Sequence, residues 1–281
     1  MQNSEFEVRR LGAAAGAEIT GLDLSQPMGN ETFSKLNDAL LSHHVLCFPD
    51  QSLSLEELRS FARCWGDLAV HPNLRAMEGY PEIVGVERQP GDSGHLGSEW
   101  HNDTTSLEKP PMATLMYAKV VPPVGGDTLF ANQYLAYEAL SDGMRSMLDG
   151  LKAVHGDGRV AGPRAALNRR RTNKTDESDD WQETLNTHPV IRTHPETGRK
   201  ALYVNIAYTK HFEDMSTAES QPLLDFLYEH SHRPEFTYRQ RWKQNMVVIW
   251  DNRSLIHLAL NDCPGHHRLM QRIQIKGDRP Y

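Results

Sequence analysis

The stretch Ser98-Glu99-Trp100-His101-Asn102-Asp103-Thr104-Thr105 carries a histidine and an aspartate two positions apart. In extended backbone, residues i and i+2 project to the same side. His101 and Asp103 then present an imidazole and a carboxylate together. Two nitrogens and one carboxylate on one face of a metal, with the other positions open, is the arrangement that suits non-haem Fe(II) that must still bind oxygen. The pair therefore requires a second histidine from elsewhere. His257, in Trp250-Asp251-Asn252-Arg253-Ser254-Leu255-Ile256-His257, is the candidate. Alone, His-x-Asp is a short signal in a chain with 14 histidines and 37 acidic residues, so its weight depends on the rest of the sequence.

The chain has 281 residues and a formal net charge of −7. That length suffices for a sizeable core in one large domain. Both charge signs are interspersed, with no basic stripe of the kind that binds nucleic acid. No apolar run approaches the ~18 residues of a membrane span. Met1-Gln2-Asn3-Ser4-Glu5-Phe6-Glu7 lacks the basic start and apolar stretch of a cleaved signal. Cys47, Cys64 and Cys263 are odd in number and outside any Cys-x-x-Cys. They read as buried thiols of a reduced, cytoplasmic protein.

Outward from the triplet, the chain is rich in short strand patterns. Residues 6–11 and 17–24 alternate, Val45-Leu46-Cys47-Phe48 is a short apolar run closed by Pro49-Asp50, and Ile83-Val84-Gly85-Val86 is another strand. Ala113–Ala118, Thr128–Ala131, parts of 190–206, Met246–Trp250 and Leu269–Ile275 continue the series. Helices flank them. Asn30 is placed to cap one that carries Phe33, Leu36, Leu40 and Leu41. Ser54-Leu55-Glu56-Glu57 and Ser216-Thr217-Ala218-Glu219 are capping boxes opening two more. Residues 133–150 read as two short helices parted at Ser141-Asp142-Gly143. Residues 156–186 differ in kind, with Arg169-Arg170-Arg171 followed by Asp176-Glu177-Ser178-Asp179-Asp180 and few apolar anchors. They read as a mobile lid or insert. The expectation is one domain, 1–281, mainly β with flanking helices.

A metal that activates oxygen needs electrons, and no Gly-x-Gly-x-x-Gly is present for a nucleotide cofactor. A keto-acid co-substrate would supply them, and its far carboxylate would need a cationic anchor. Arginine suits that task because its planar fork meets a carboxylate with two parallel hydrogen bonds. Arg268 and Arg272 share strand parity and would face one cavity.

The ordered set Trp100-His101-Asn102-Asp103, Gly125-Gly126-Asp127-Thr128, Trp250-Asp251-Asn252-Arg253 with His257, then Arg268 and Arg272 resembles the taurine dioxygenase-like (TauD/TfdA) family of Fe(II)- and 2-oxoglutarate-dependent dioxygenases. The likeness runs from Gly16-Ala17-Glu18 to Gly277-Asp278-Arg279 and includes Tyr203-Val204-Asn205 and Arg241-Trp242. It implies a double-stranded β-helix core, a cupin-like jelly roll. It also implies that His101, Asp103 and His257 bind iron and that Thr128 and Arg268 hold the distal carboxylate of 2-oxoglutarate. Arg272, His71 and Tyr208 would meet the prime substrate, with no catalytic residue beyond the metal ligands. The implied reaction couples oxidative decarboxylation of 2-oxoglutarate, with O2, to hydroxylation of a small organic anion: a sulfonate, a sulfate ester, or an aryloxy or alkyl carboxylate. Hydroxylation at carbon beside a heteroatom then releases the heteroatom group. A homo-oligomer, dimer or tetramer, is implied too.

Asp103 fills the carboxylate position, against a halogenase. His95-Leu96-Gly97-Ser98-Glu99 lacks the Asn or Asp with which the taurine enzyme meets its substrate amine, which points away from taurine. Two rivals remain: a metal-dependent hydrolase or isomerase in the same barrel, which also needs three ligands and an open position, and a non-catalytic anion-binding protein. A hydrolase has no use for a keto-acid anchor such as Arg268 with Thr128.

Overall fold

Residues 6–92, 97–162 and 181–281 are described by the structure, a computed structural model. The first strands are β1 (Glu7–Arg10), β2 (Ala17–Thr20), β3 (Val45–Phe48), β4 (Leu68–Ala69), β5 (Ala76–Met77), β6 (Tyr80–Arg88) and β7 (Ala113–Val120). Next come β8 (Thr128–Asn132), β9 (Lys152–Gly156), β10 (Leu185–Pro189), β11 (Ile191–Thr193), β12 (Lys200–Leu202) and β13 (Thr209–Phe212). The last are β14 (Thr237–Gln240), β15 (Val247–Asp251), β16 (Leu255–Ala259) and β17 (Arg268–Ile275). The helices are α1 (Asn30–His43), α2 (Leu55–Ala62), α3 (Gln133–Glu138), α4 (Asp142–Leu148) and α5 (Thr217–Ser231).

The main sheet has nine strands in the order β1-β2-β3-β15-β7-β17-β6-β5, with β4 paired to the end of β17. All its pairings are antiparallel except β2 with β3. Side-chain alternation gives it two different faces. Leu115 and Tyr117 of β7 and Ile273 and Ile275 of β17 point to a layer holding Leu36 and Leu40 of α1 and Leu58 and Phe61 of α2. The intervening residues, with Ala118, Val248, Trp250 and Met270, turn the other way and pack against Phe130 of a second sheet, β14-β8-β16. Phe130 and Trp250 meet edge to face at 5.4 Å. The two facing sheets are the double-stranded β-helix expected from the sequence, and the site lies between them. A third cluster, built on α3, α4, α5, β9 and β13, flanks the barrel.

Both capping boxes form, with Ser54 and Ser216 each accepting from the backbone of the glutamate three residues on. Ser141 caps α4, so the expected break between two short helices is present. Two boundaries differ from expectation. Gly29 takes the N-cap position of α1 without a side-chain bond, and Asn30 is the first helical residue. β2 stops at Thr20, because Gly21 turns the chain with φ 84°. The segment 156–186 leaves and returns at one place, Leu185 pairing opposite Gly156. Its Arg169-Arg170-Arg171 run and its acidic run lie outside the described residues. Among the described residues no helix is long and apolar enough to cross a membrane, and the three cysteines are free.

Candidate active site

His101 and His257 are stitched together by backbone. An isolated antiparallel bridge joins them, with His101 N donating to His257 O at 3.0 Å and His257 N to His101 O at 2.8 Å. Through that bridge the loop before β7 borrows the rigidity of β16. One ligand atom from each of His101, Asp103 and His257 lies within 4.8 Å of the others. Asp103 Oδ1 stands 3.6 Å from His101 Nε2 and 3.6 Å from His257 Nε2.

Surrounding groups set the ligand atoms. His101 Nδ1 is 2.7 Å from the Glu99 carbonyl, so it carries the proton and leaves the Nε2 lone pair facing Asp103. His257 is wedged against Trp250 at 4.9 Å, and its buried Nδ1 has no hydrogen-bond partner, so its polar contact is at Nε2. Asp103 Oδ2 accepts from Thr114 Oγ1 at 2.5 Å. Thr114 in turn accepts from Asn252 Nδ2 at 3.0 Å, and Asn252 Oδ1 accepts from Trp250 Nε1 at 2.9 Å. This relay from β15 fixes the rotamer of Asp103 and leaves Oδ1 facing the two histidines and Arg272. Asn102, between the two candidate ligands, faces away and donates to the carbonyls of Asn252 and Leu255. Thr104, immediately after Asp103, adopts φ 42°, sparsely populated backbone of the kind that collects at functional sites.

The turn between β15 and β16 is held by buried charge. Asp251 takes both forks of Arg253, at 2.9 and 2.8 Å, and His194 Nε2 at 3.0 Å, while Arg253 also reaches Glu196 at 2.7 Å. Arg253 and His194 hold the Asp251 carboxyl far below its usual range against the opposing effect of burial.

Electrostatics suit a cation. Burial opposes ionisation of Asp103, but Arg272 and the two histidines hold its carboxyl well below 3.8. Burial, and then His101 beside it, pushes His257 well below 6.5. The donor set is thus a carboxylate and neutral imidazole, the protonation states metal binding requires, and it fits Fe(II) with further positions free.

A cavity of about 900 Å³, open to solvent, runs from this cluster, and all eight residues singled out in the sequence line it. Arg268 and Thr128 are among them. Thr128 Oγ1 accepts from Trp242 Nε1 at 3.0 Å, which leaves its hydroxyl proton to donate. Arg268 has no carboxylate partner among the described residues, and burial pushes its guanidinium down to about 10. It remains a cation at neutral pH, and a partly buried cation with no carboxylate bonded to it is costly until an anion arrives. The Gly125-Gly126-Asp127-Thr128 motif makes room for it. Gly126 has φ 71°, and a Cβ there would lie 3.0 Å from Pro122 and 3.4 Å from Arg268 Cδ.

Arg272 lines the cavity too. Its Nη2 contacts Asp103 Oδ1 at 2.6 Å and so is tied to the cluster as well as facing the cavity. His71 and Tyr208 line the cavity with Asn73, Leu74, Val86 and Met116. Thr114, Asn252 and the apolar wall were not singled out in the sequence. The apolar positions carry no sequence signal beyond strand alternation, whereas Asn252 stood inside a quoted motif without a role.

The family model for the taurine catabolism dioxygenase TauD, TfdA family matches residues 7–274. An alkylsulfatase of Acinetobacter baylyi is 34% identical over 98% of this chain and 86% of its own length. An alpha-ketoglutarate-dependent sulfate ester dioxygenase of Pseudomonas putida is 32% identical over 98% of this chain and 91% of its own. The crystal structure of a taurine dioxygenase from Burkholderia xenovorans superposes with TM-score 0.81 at 33% identity, covering 98% of this chain and 90% of that one. With its motifs, its facing sheets and these relatives in agreement, the chain belongs to the TauD/TfdA dioxygenase family.

Proposed function

We propose that this chain is an Fe(II)- and 2-oxoglutarate-dependent dioxygenase acting on a small organic anion, with alkyl sulfate esters the first class to test. The observation that carries the reading is the convergence of His101, Asp103 and His257 on one cavity that also holds the unpaired Arg268. In this reading the three side chains hold iron, and Arg268 with the Thr128 hydroxyl receives the distal carboxylate of 2-oxoglutarate. Bound iron would supply oxygen activation with electrons from the keto acid, giving succinate and CO2. The hydrolase reading leaves Arg268 with Thr128 without a task, and the intact His101, Asp103 and His257 speak against the non-catalytic one.

Arg272 and His71 line the same cavity as Leu74, Val86, Met116 and Ala207. A cation above an apolar surface suits an anion with a hydrocarbon body. The sulfate-ester names of two relatives support the same class. Hydroxylation of the carbon bearing the sulfate oxygen gives a hemiacetal ester, which collapses to an aldehyde and releases sulfate.

The test is anaerobic addition of Fe(II) and then 2-oxoglutarate to the purified protein. A visible metal-to-ligand charge-transfer band should appear and shift when an alkyl sulfate is added. Oxygen should then yield succinate, aldehyde and sulfate in equal amounts. Sulfate release without oxygen would replace this reading with the hydrolase.

A further inference from the structure

Arg88, the last residue of β6, is the direct cross-strand partner of Arg268 at the start of β17. Like charges placed opposite one another in a ladder destabilise it, so the pair needs a reason. Both point to the inner face, because Val84 and Val86 share the parity of Arg88, and Met270 and Arg272 share that of Arg268. Arg88 is only 9% exposed. The Nε atoms of Arg88 and Arg268 are both buried without a hydrogen-bond partner among the described residues. The Arg88 guanidinium meets Cys263 Sγ at 3.7 Å, a weak acceptor.

Nearby acids are occupied elsewhere. Glu87, of opposite parity, accepts from Gln89 at 2.6 Å and His267 at 2.8 Å. Asp127 accepts from Arg239 at 2.7 Å, and Asp262 from Gly126 N at 2.6 Å. Both arginines line a second cavity of about 350 Å³ together with Glu87 and Cys263, and it shares Val86, Ala259 and Arg268 with the main one. Two guanidinia, opposed across the strand pair and without a carboxylate bonded to them among the described residues, thus face one small space that adjoins the main cavity.

We propose that Arg88 is a second binding residue for the distal carboxylate of the co-substrate, completing with Arg268 a two-guanidinium clamp. The proposal rests on the reading of Arg268 as the co-substrate anchor. It follows from charge: one anion between the two arginines relieves their repulsion and satisfies donors that otherwise stay buried and unpaired. Without the anion the pair is a liability, and the site then favours a dicarboxylic keto acid over a monocarboxylic one.

The test is calorimetric binding to Mn(II)-loaded protein, with 2-oxoglutarate and with 2-oxobutyrate, which has the same keto-acid end and no distal carboxylate. Arg88→Gln should weaken 2-oxoglutarate about tenfold, the size of one hydrogen bond to a charged group, and leave 2-oxobutyrate within about twofold. Ligand-free Arg88→Gln should melt no lower than wild type, because the opposed pair is gone. Arg88→Lys, which keeps the charge, provides a second folded variant and should lose less than Arg88→Gln. Unchanged 2-oxoglutarate affinity in Arg88→Gln, or equal weakening of both acids, would overturn the clamp. The anchor reading is tested separately by Arg268→Gln: if wild type binds 2-oxoglutarate and Arg268→Gln binds it as well, that reading and the clamp both fail.

Discussion

Arg272 Nη2 lies 2.6 Å from Asp103 Oδ1, the same oxygen that stands 3.6 Å from both His101 Nε2 and His257 Nε2. A metal held there would share Asp103 with this guanidinium. Arg272 keeps the carboxyl ionised and would lower the electron density that Asp103 offers a bound metal. Truncating it should have opposite effects on metal and on substrate. Arg272→Ala is expected to bind Fe(II) at least as tightly as wild type, because a nearby positive charge is removed. Its KM for the anionic substrate should rise about tenfold or more with the loss of a charge-assisted contact. Equilibrium dialysis with Fe(II) under anaerobic conditions, together with steady-state oxygen consumption, checks both halves. Loss of metal binding would assign Arg272 to holding Asp103 alone.

Replacing the other partner is harsher. Asp103→Ala removes a candidate ligand and leaves Arg272, 9% exposed, without its counter-charge. Succinate formation should fall at least about a thousandfold. The metal-free protein should lose about 3–5 kcal/mol, the usual cost of breaking a buried pair from one side. Arg272→Ala made in the Asp103→Ala background should recover part of that stability, since the stranded cation is then gone. Urea denaturation of the single and double variants measures the recovery, and an additive loss would argue against this coupling.

The legible part of the site was the part encoded in spacing. His-x-Asp fixes a shared direction along extended backbone, and Arg268 and Arg272 share parity on β17, so these positions could be read before any fold was known. His257 is the candidate partner within the Trp250–His257 segment, and its iron-binding role comes with the family resemblance. What the sequence did not disclose is long-range polar pairing. Nothing local marks Thr114 as the residue that grips Asp103, or Asn252 as its donor, because the two lie 138 positions apart. The opposition of Arg88 and Arg268 depends on strand register, which is set by how β6 and β17 dock. Single-residue offsets such as Gly29 for Asn30 arise because a helix end is decided by backbone geometry as well as by a side-chain cap.

Glu99 links the cluster to the far side of the cavity. Its carbonyl accepts from His101 Nδ1 at 2.7 Å, and its carboxylate takes both forks of Arg159, at 2.9 and 2.6 Å. Arg159 belongs to the turn after β9, whose Val160 and Ala161 line the cavity. Because Arg159 is 57% exposed, the pair should contribute no more than about 1 kcal/mol to stability. Its consequence should be positional. Arg159→Ala is expected to raise the substrate KM about three- to tenfold while kcat and the 2-oxoglutarate KM stay within about twofold. A fall in kcat with unchanged KM would instead trace the effect to His101.

Two histidines away from the cluster predict how the protein responds to acid. His155 is fully buried, its Nδ1 2.9 Å from Thr105 Oγ1, and burial with His188 nearby pushes its pKa down to about 3. Burial, against the opposing charge of Asp251, pushes His44 down to about 4. Both imidazoles take up protons in the unfolded chain near pH 6.5 but stay neutral in the folded one. The unfolded state is therefore the one that gains as pH drops. Stability that is fully present above about pH 6.5 should be lost progressively toward pH 4, at roughly 1.4 kcal/mol per pH unit for each histidine. By pH 5 the pair should account for roughly 4 kcal/mol. His155→Gln should lower stability at pH 7 yet flatten the decline below it, because one of the two proton-binding groups is gone from the unfolded chain. Urea unfolding of the metal-free protein at pH 7, 6 and 5 measures the slope. A decline equally steep in His155→Gln and wild type would mean that His155 is protonated in the native fold and that carboxylates carry the acid response.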